Sequence, residues 1–265
     1  VPKASRLREI PATLSVLLGS RAGTEGALVL AYHDIGEDPA NTTDYYVSPS
    51  QMRRQLVMAR RAGLRMVSLE ELTRTFREGG DLDGLCAVVF DDSLAGVHHY
   101  AMAVLLDLDV PATVFTVSSA LGQDPPWWPG AARVMTPDEV KEMADCGFTI
   151  ASHTRTHRSL AGTPADVRAD EVVGSRSELE DLVGTRVDLF AYPYGHYDRD
   201  ARAAVEEAGY EAAYSFLNGR VIKGMDRFRL PRLNMWPGQR RLRLAYHLAR
   251  SPGSWPDTQL DEVGG

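Results

Sequence analysis

Short apolar runs, each cut off by a polar cluster, recur along this chain at intervals that leave room for one helix between them. Residues 27–32, 64–67, 86–90, 112–117, 148–151, 188–191 and 212–216 are these runs. Most are rich in β-branched and aromatic residues and lack strict alternation, the mark of strands covered on both faces. The intervening segments carry helix signals. Ser48-Pro49-Ser50-Gln51, Ser68-Leu69-Glu70-Glu71 and Thr136-Pro137-Asp138-Glu139 are N-cap sequences that predict capping boxes, Thr163-Pro164 and Asp198 open two further helices, and Gly63, Gly79, Gly184 and Gly209 stop helices.

About seven strands alternating with helices predict an α/β fold with a parallel sheet and helices outside it. Polar clusters fall at the ends of the first, third, fifth and sixth strands. In a β/α barrel such ends converge on one mouth, whereas an open doubly wound sheet gathers them at a switch point, so a distorted barrel is expected. No Gly-x-Gly-x-x-Gly follows the first strand. The chain is expected to divide into an N-terminal extension over 1–26, one β/α domain over 27–250 and a Pro/Gly-rich tail over 251–265. An apolar patch at 14–18 predicts a short helix, residues 41–44 a rim loop, residues 228–233 a closing segment, and residues 242–249 a last helix.

Composition adds limits. With 265 residues, 44% hydrophobic and 25% charged, the chain suits one globular domain with a sizeable core and excludes disorder or collagen-like repeats. A net charge of -7 with scattered Arg residues argues against nucleic acid or an anionic membrane as partner and favours a neutral or cationic substrate. No stretch reaches the length of a transmembrane segment. Cys86 and Cys146 stand in different elements and are expected to be free, buried thiols. The chain begins Val-Pro-Lys with no recognisable signal peptide. That start fits a processed form, extracellular or in the cell envelope if a signal peptide has been removed, and cytoplasmic otherwise. Oligomeric state has no signal.

The chemistry starts at Phe90-Asp91-Asp92-Ser93, where a buried-type strand ends on two carboxylates. Adjacent Asp residues on extended backbone diverge, so Asp92 can bind a metal while Asp91 acts as general base; alternatively Asp92 caps the next helix. His153 and His157 have the spacing of a metal-binding pair directly after a strand, and with Asp92 they would form a three-ligand site for a divalent ion. Zinc fits first, with cobalt, manganese or nickel also compatible. His33 ends strand one and is the candidate general acid, or else a residue holding the rim by hydrogen bonds. Trp127 and Trp128 either stack on the apolar face of a ligand or cover the barrel edge, and Trp236 is expected to face the mouth after the last strand. His98 and His99 read as exposed or packed, His247 as packed on a helix, and His196 as a turn residue.

Phe90-Asp91-Asp92, Ser152-His153-Thr154-x-x-His157 and Phe190-Ala191-Tyr192-Pro193-Tyr194-Gly195 resemble, in order and spacing, the motifs of the polysaccharide deacetylases, the NodB-homology or carbohydrate esterase family 4 group. The resemblance runs over 28–233. It implies a metal-dependent deacetylase on a distorted (β/α)7 barrel acting on a carbohydrate substrate, with Asp91 as base and Asp92, His153 and His157 as metal ligands. It also implies that the Tyr194 backbone N–H supports the oxyanion, within a Tyr192-to-Gly195 segment at the substrate. Tyr32-His33 resembles the branch acting on poly-N-acetylglucosamine, where this His is the acid. The chain departs from the pattern at Ser93, where Gly is usual, and at Ala191, where many members have an Arg that orients the base. Ser93 then bears on substrate preference, and Asp91 needs another orienting group or a different tuning. The expected reaction is hydrolysis of an N-acetyl group on an amino sugar or N-acetylglucosamine-containing glycan. The rivals are a deacetylase of a small glycoside or biosynthetic intermediate, another C–N hydrolase, and a non-catalytic carbohydrate-binding barrel.

Overall fold

The computed structural model describes residues 25–38 and 45–237 together with Ala245 and Leu248. The apolar patch at 14–18, the loop at 41–44, most of the 242–249 helix with His247, and the 251–265 tail lie outside the described residues.

The strands are β1 (Leu28–Tyr32), β2 (Asp34–Ile35), β3 (Tyr46–Val47), β4 (Arg65–Met66), β5 (Leu85–Phe90), β6 (Ala112–Thr116), β7 (Thr149–Ser152), β8 (Leu189–Ala191), β9 (Ala212–Asn218) and β10 (Leu230–Asn234). Seven of them, in the order β1-β10-β9-β8-β7-β6-β5, form a parallel sheet that closes on itself through the β1–β5 pairing. The expected barrel is therefore present, with one reassignment. Residues 65–66 pair only with Leu85 and Cys86 at the start of β5, and the seventh barrel strand is β10, from the segment read as a mere closing stretch.

Period-2 alternation divides the core into two layers. Val29 and Ala31 of β1, Ala87 and Val89 of β5, Phe115 of β6, Ala151 of β7, Leu189 and Ala191 of β8, Tyr214 of β9 and Leu230 of β10 fill the barrel interior. Leu30, Tyr32, Val88, Phe90, Val114, Ile150 and Phe190 face outward and pack under the helices. All six residues of β5 are buried, and each large apolar side chain so enclosed contributes roughly 1.5–3 kcal/mol.

The helices are α1 (Pro49–Arg61), α2 (Leu69–Arg77), α3 (Met102–Asp107), α4 (Pro137–Asp145), α5 (Ala165–Ala169), α6 (Ser175–Val183) and α7 (Arg199–Glu207). Their starts follow the sequence signals: Ser48, Ser68, Thr136 and Asp198 all cap with their side chains. Only Thr136/Glu139 closes a full capping box. Gln51 instead donates to the Pro237 carbonyl, and Glu71 pairs with Arg65 at 2.8 Å. The helix opened by Thr163-Pro164 runs to the left-handed Gly184 with a wide π-turn at Asp170–Gly174 joining α5 to α6. Both cysteines are free, but only Cys86 is buried, because Cys146 closes α4 at the solvent boundary.

Candidate active site

The inward rows of the barrel continue past the strand ends into the polar residues of the mouth. His33 follows Ala31 by two positions, Asp91 follows Val89, His153 follows Ala151 and Arg232 follows Leu230, so all four project into the barrel axis. Register brings them level: Tyr32 pairs with Phe90, placing His33 beside Asp91, and Thr116, Ser152 and Phe190 pair in a row below His153. Asp92 would belong to the outward row. A left-handed backbone at Asp92 (φ 65°) and Ser93 (φ 49°) breaks the alternation there. The Asp92 carboxylate is thereby turned to the histidines.

One oxygen of Asp92, Oδ1, lies 2.9 Å from His157 Nε2 and 3.7 Å from His153 Nε2. All three residues are buried and their donor atoms fall within 4.8 Å of one another. His153 Nδ1 donates to the Ala191 carbonyl at 2.8 Å, which fixes the tautomer and leaves the Nε2 lone pair facing Asp92. Burial pushes His153 down to about 4 despite the nearby Asp91, so it is a neutral imidazole at pH 7. Asp92 is pushed up by burial, but the His157 hydrogen bond and charge outweigh this and hold it below the usual carboxylate range. An ionised carboxylate and two imidazoles whose donor atoms converge at one buried point are a donor set that suits a divalent zinc-type ion. The residues fit such an ion. His157 is also clamped by rings, stacked on Trp127 at 4.5 Å and edge-on to Tyr194 at 4.7 Å.

Asp91 is gripped from the opposite side. Arg232 Nη1 donates to Asp91 Oδ1 at 2.6 Å while its Nε donates to the Ser215 carbonyl at 2.8 Å, and the guanidinium sits over the Phe115 ring. Burial raises Asp91, yet Arg232, then His153 and His33, overcome it and hold the carboxyl far below its ordinary range. Arg232 thus holds Asp91 in the way expected of the group that the Ala191 departure left to be found, and no feature of the sequence pointed to it. His33 Nε2 stands 3.7 Å from the other oxygen, Asp91 Oδ2. Burial lowers His33, with Asp91 and Asp92 opposing.

Around His33 lies an aromatic wall: Tyr45 at 4.6 Å, Phe216 at 5.8 Å and Trp128 at 6.3 Å, with Trp236 at 5.0 Å from Tyr45. Tyr45 and Phe216 were not singled out from the sequence. Trp127 and Trp128 also pack on Leu94, Val117, Ala120 and Val134, so they cover the barrel edge and line the mouth at once. Tyr194 adopts φ 59° and is half-exposed, and the turn it occupies is closed by the Gly195 and His196 N–H groups, not by its own. Tyr192 corrects the expectation of a substrate-facing residue. It continues the outward row after Phe190, is fully buried, and donates its hydroxyl to the Phe228 carbonyl at 3.0 Å. Ser93 is fully buried, and its carbonyl accepts from Met135 N. His98 and His99 lie away from the mouth and pair with Glu142 and Glu139, each at 3.0 Å. Glu139 is already held by Arg133 and the Thr136 N–H.

A closed parallel (β/α)7 barrel of the NodB-homology type, with Asp, His, His and a second Asp at its mouth, is the class these features define. Residues 80–213, half of the chain, match the polysaccharide deacetylase family, and the chain belongs to that family. Bacillus subtilis YxkH is 25% identical over 151 residues, 57% of this chain and 51% of that protein, so the chain spans about half the length of that relative. The poly-beta-1,6-N-acetyl-D-glucosamine N-deacetylase of Staphylococcus epidermidis is 21% identical over 228 residues, 78% of each chain. The Streptococcus pyogenes deacetylase PplD, solved in complex with acetate, superposes with a TM-score of 0.74 at 22% identity over 85% of this chain and 99% of its own. That likeness is one of fold.

Proposed function

We propose that this chain is a metal-dependent deacetylase that removes the N-acetyl group from an amino-sugar unit of a glycan and releases acetate. The observation that carries the reading is the division of labour between two adjacent carboxylates, Asp92 turned to two imidazoles and Asp91 held by Arg232. Asp92, His153 and His157 would hold a divalent ion, which when bound would supply Lewis acidity toward the acetyl carbonyl and lower the pKa of a water.

The protein does the rest. Arg232 occupies Asp91 Oδ1, so Oδ2 is the oxygen left to take the proton of the attacking water. The Arg232 charge keeps Asp91 ionised at neutral pH, at some loss of basicity, which suits a water that is itself acidified. The Tyr194 N–H supports the oxyanion, a donor worth roughly 3 kcal/mol. His33, 3.7 Å from Asp91 Oδ2, receives the proton there and delivers it to the departing amine. Its lowered affinity for protons favours that release. Tyr45, Trp128 and Trp236 offer ring faces to the apolar side of a sugar. The name of the Staphylococcus epidermidis relative supports a poly-N-acetylglucosamine substrate class, as does the negative net charge of -7 for a product that is a cationic amine.

The test is acetate release from N-acetylglucosamine oligomers, acetylated xylan and small N-acetyl glycosides, before chelation, after it, and after metal is restored. Release from the oligomers that is lost on chelation and regained supports the reading. No release from any substrate by metal-loaded protein overturns it in favour of a binding barrel.

A further inference from the structure

Between the two histidines the chain makes a tight loop with two side-chain-bearing residues in the left-handed region, Thr154 (φ 66°) and His157 (φ 61°). Such a loop holds its shape only if its surroundings over-determine it. On one side the start of the segment after β6 does so. The Ser118 N–H donates to the Thr154 carbonyl at 3.4 Å, and the Ser119 N–H and Oγ both donate to the Arg155 carbonyl, at 3.0 and 2.6 Å. On the other side a single buried carboxylate meets the loop. Glu171 Oε2 accepts from the Arg155 N–H at 3.0 Å and the Thr156 N–H at 2.9 Å, and Oε1 accepts from the Thr156 hydroxyl. Glu171 is only 3% exposed and lies in the wide π-turn at Asp170–Gly174, a helix irregularity often found at functional sites.

We infer that Glu171 is a positioning residue for the ligand set: by holding the 155–156 backbone it fixes where His157 stands relative to His153 and Asp92, and so sets how tightly the site binds a divalent ion. This rests on reading Asp92, His153 and His157 as the metal site. The argument is one of accounting. A buried Glu is rare unless its oxygens are engaged, and here the engaging groups are two backbone N–H donors and a hydroxyl of one three-residue loop, with the Arg158 guanidinium 3.9 Å away. The loop has no other acceptor for those two N–H groups among the described residues. Its shape therefore follows the reach of this side chain.

Two variants of the full chain separate position from charge. Glu171→Asp keeps the charge but withdraws the acceptor by one methylene, whereas Glu171→Gln keeps an oxygen at the same reach and loses the charge. Zinc affinity is read by competition with a chromophoric chelator, and the unfolding temperature is read without metal. The expected result is Glu171→Asp binding zinc about 10–100-fold more weakly than wild type, as for other residues that orient metal ligands, with Glu171→Gln close to wild type. Wild-type affinity in Glu171→Asp, with or without a lower unfolding temperature, overturns the inference and leaves Glu171 a plain structural residue. A larger loss in Glu171→Gln than in Glu171→Asp overturns it in favour of a charge effect. Asp92→Asn is the companion: if it binds zinc as tightly as wild type, the reading of the metal site falls and this inference with it. If it loses zinc while Glu171→Asp does not, only the role of Glu171 is refuted.

Discussion

Arg232 and Asp91, 141 positions apart in sequence, meet at 2.6 Å inside the barrel mouth with both side chains shielded from solvent. Removing one partner of such a pair leaves a buried charge uncompensated, which costs about 3–5 kcal/mol. Arg232→Gln is therefore expected to lower the unfolding free energy, read from denaturant titration, by that order. Its effect on pH dependence has a definite sign. Burial alone raises the Asp91 pKa, and Arg232 is the first of the groups that pull it down. Without Arg232 the carboxyl protonates at higher pH, so the acidic limb of kcat/KM moves upward. In wild type the depressed pKa contributes stability that is full above the ordinary Asp value and lost as pH falls toward the folded one. An acidic limb unmoved in Arg232→Gln would show that Asp91 is not the titrating base.

Chelation provides the second prediction. A ligand present at 100 times its Kd that binds only the folded state adds about 2.7 kcal/mol, which for a chain of this size is a rise of about 5–10 °C in Tm. Zinc added to chelated protein should give that rise, and Asp92→Asn or His153→Gln should remove it. A scan in which zinc leaves wild-type Tm unchanged would contradict the assigned ligand set.

How much of this was legible beforehand follows from strand parity. His33, Asp91 and His153 end apolar runs, and the inward row of each run carries straight into them. Tyr192 sits in an equally suggestive motif but belongs to the outward row with Phe190, so its ring packs in the core. Arg232 was hidden because Pro231 interrupts the hydrophobic run, and Pro marks a poor strand. The structure accommodates it at a register shift between Leu230 and Arg232 against β9. The residue that holds Asp91 thus lies in the one barrel strand whose pattern was broken. Phe216 follows Tyr214 by two positions and carried a usable signal. Tyr45, in a loop, carried none. The helix starts were plain from caps, whereas the π-turn that places Glu171 has no local sequence signature.

His33 should matter in proportion to the leaving group. An amine leaves poorly without a proton, and a positioned acid contributes typically 10²–10⁴-fold. His33→Ala is expected to reduce amide hydrolysis by that range while sparing an activated acetyl ester. Rates on the two substrates, measured with the same metal-loaded protein, decide the matter, and an equal loss on both would assign His33 to holding the rim.

Ser93 is the position where the chain departs from the motif it resembles, and its backbone shows why Gly is an option there. At φ 49° a residue with a Cβ is strained by roughly 1–2 kcal/mol relative to the right-handed region. Gly removes that strain but adds unfolded-state freedom worth about 0.4–1 kcal/mol. The net for Ser93→Gly is a gain of about 0.5–1 kcal/mol, read as a rise of about 1–4 °C in Tm. The Ser93 side chain has no solvent exposure, so the relative rates on acetyl and larger acyl groups should stay as they are. A fall in Tm would show that the hydroxyl stabilises the turn that aims Asp92. A changed acyl preference at unchanged Tm would instead place that hydroxyl in contact with the substrate.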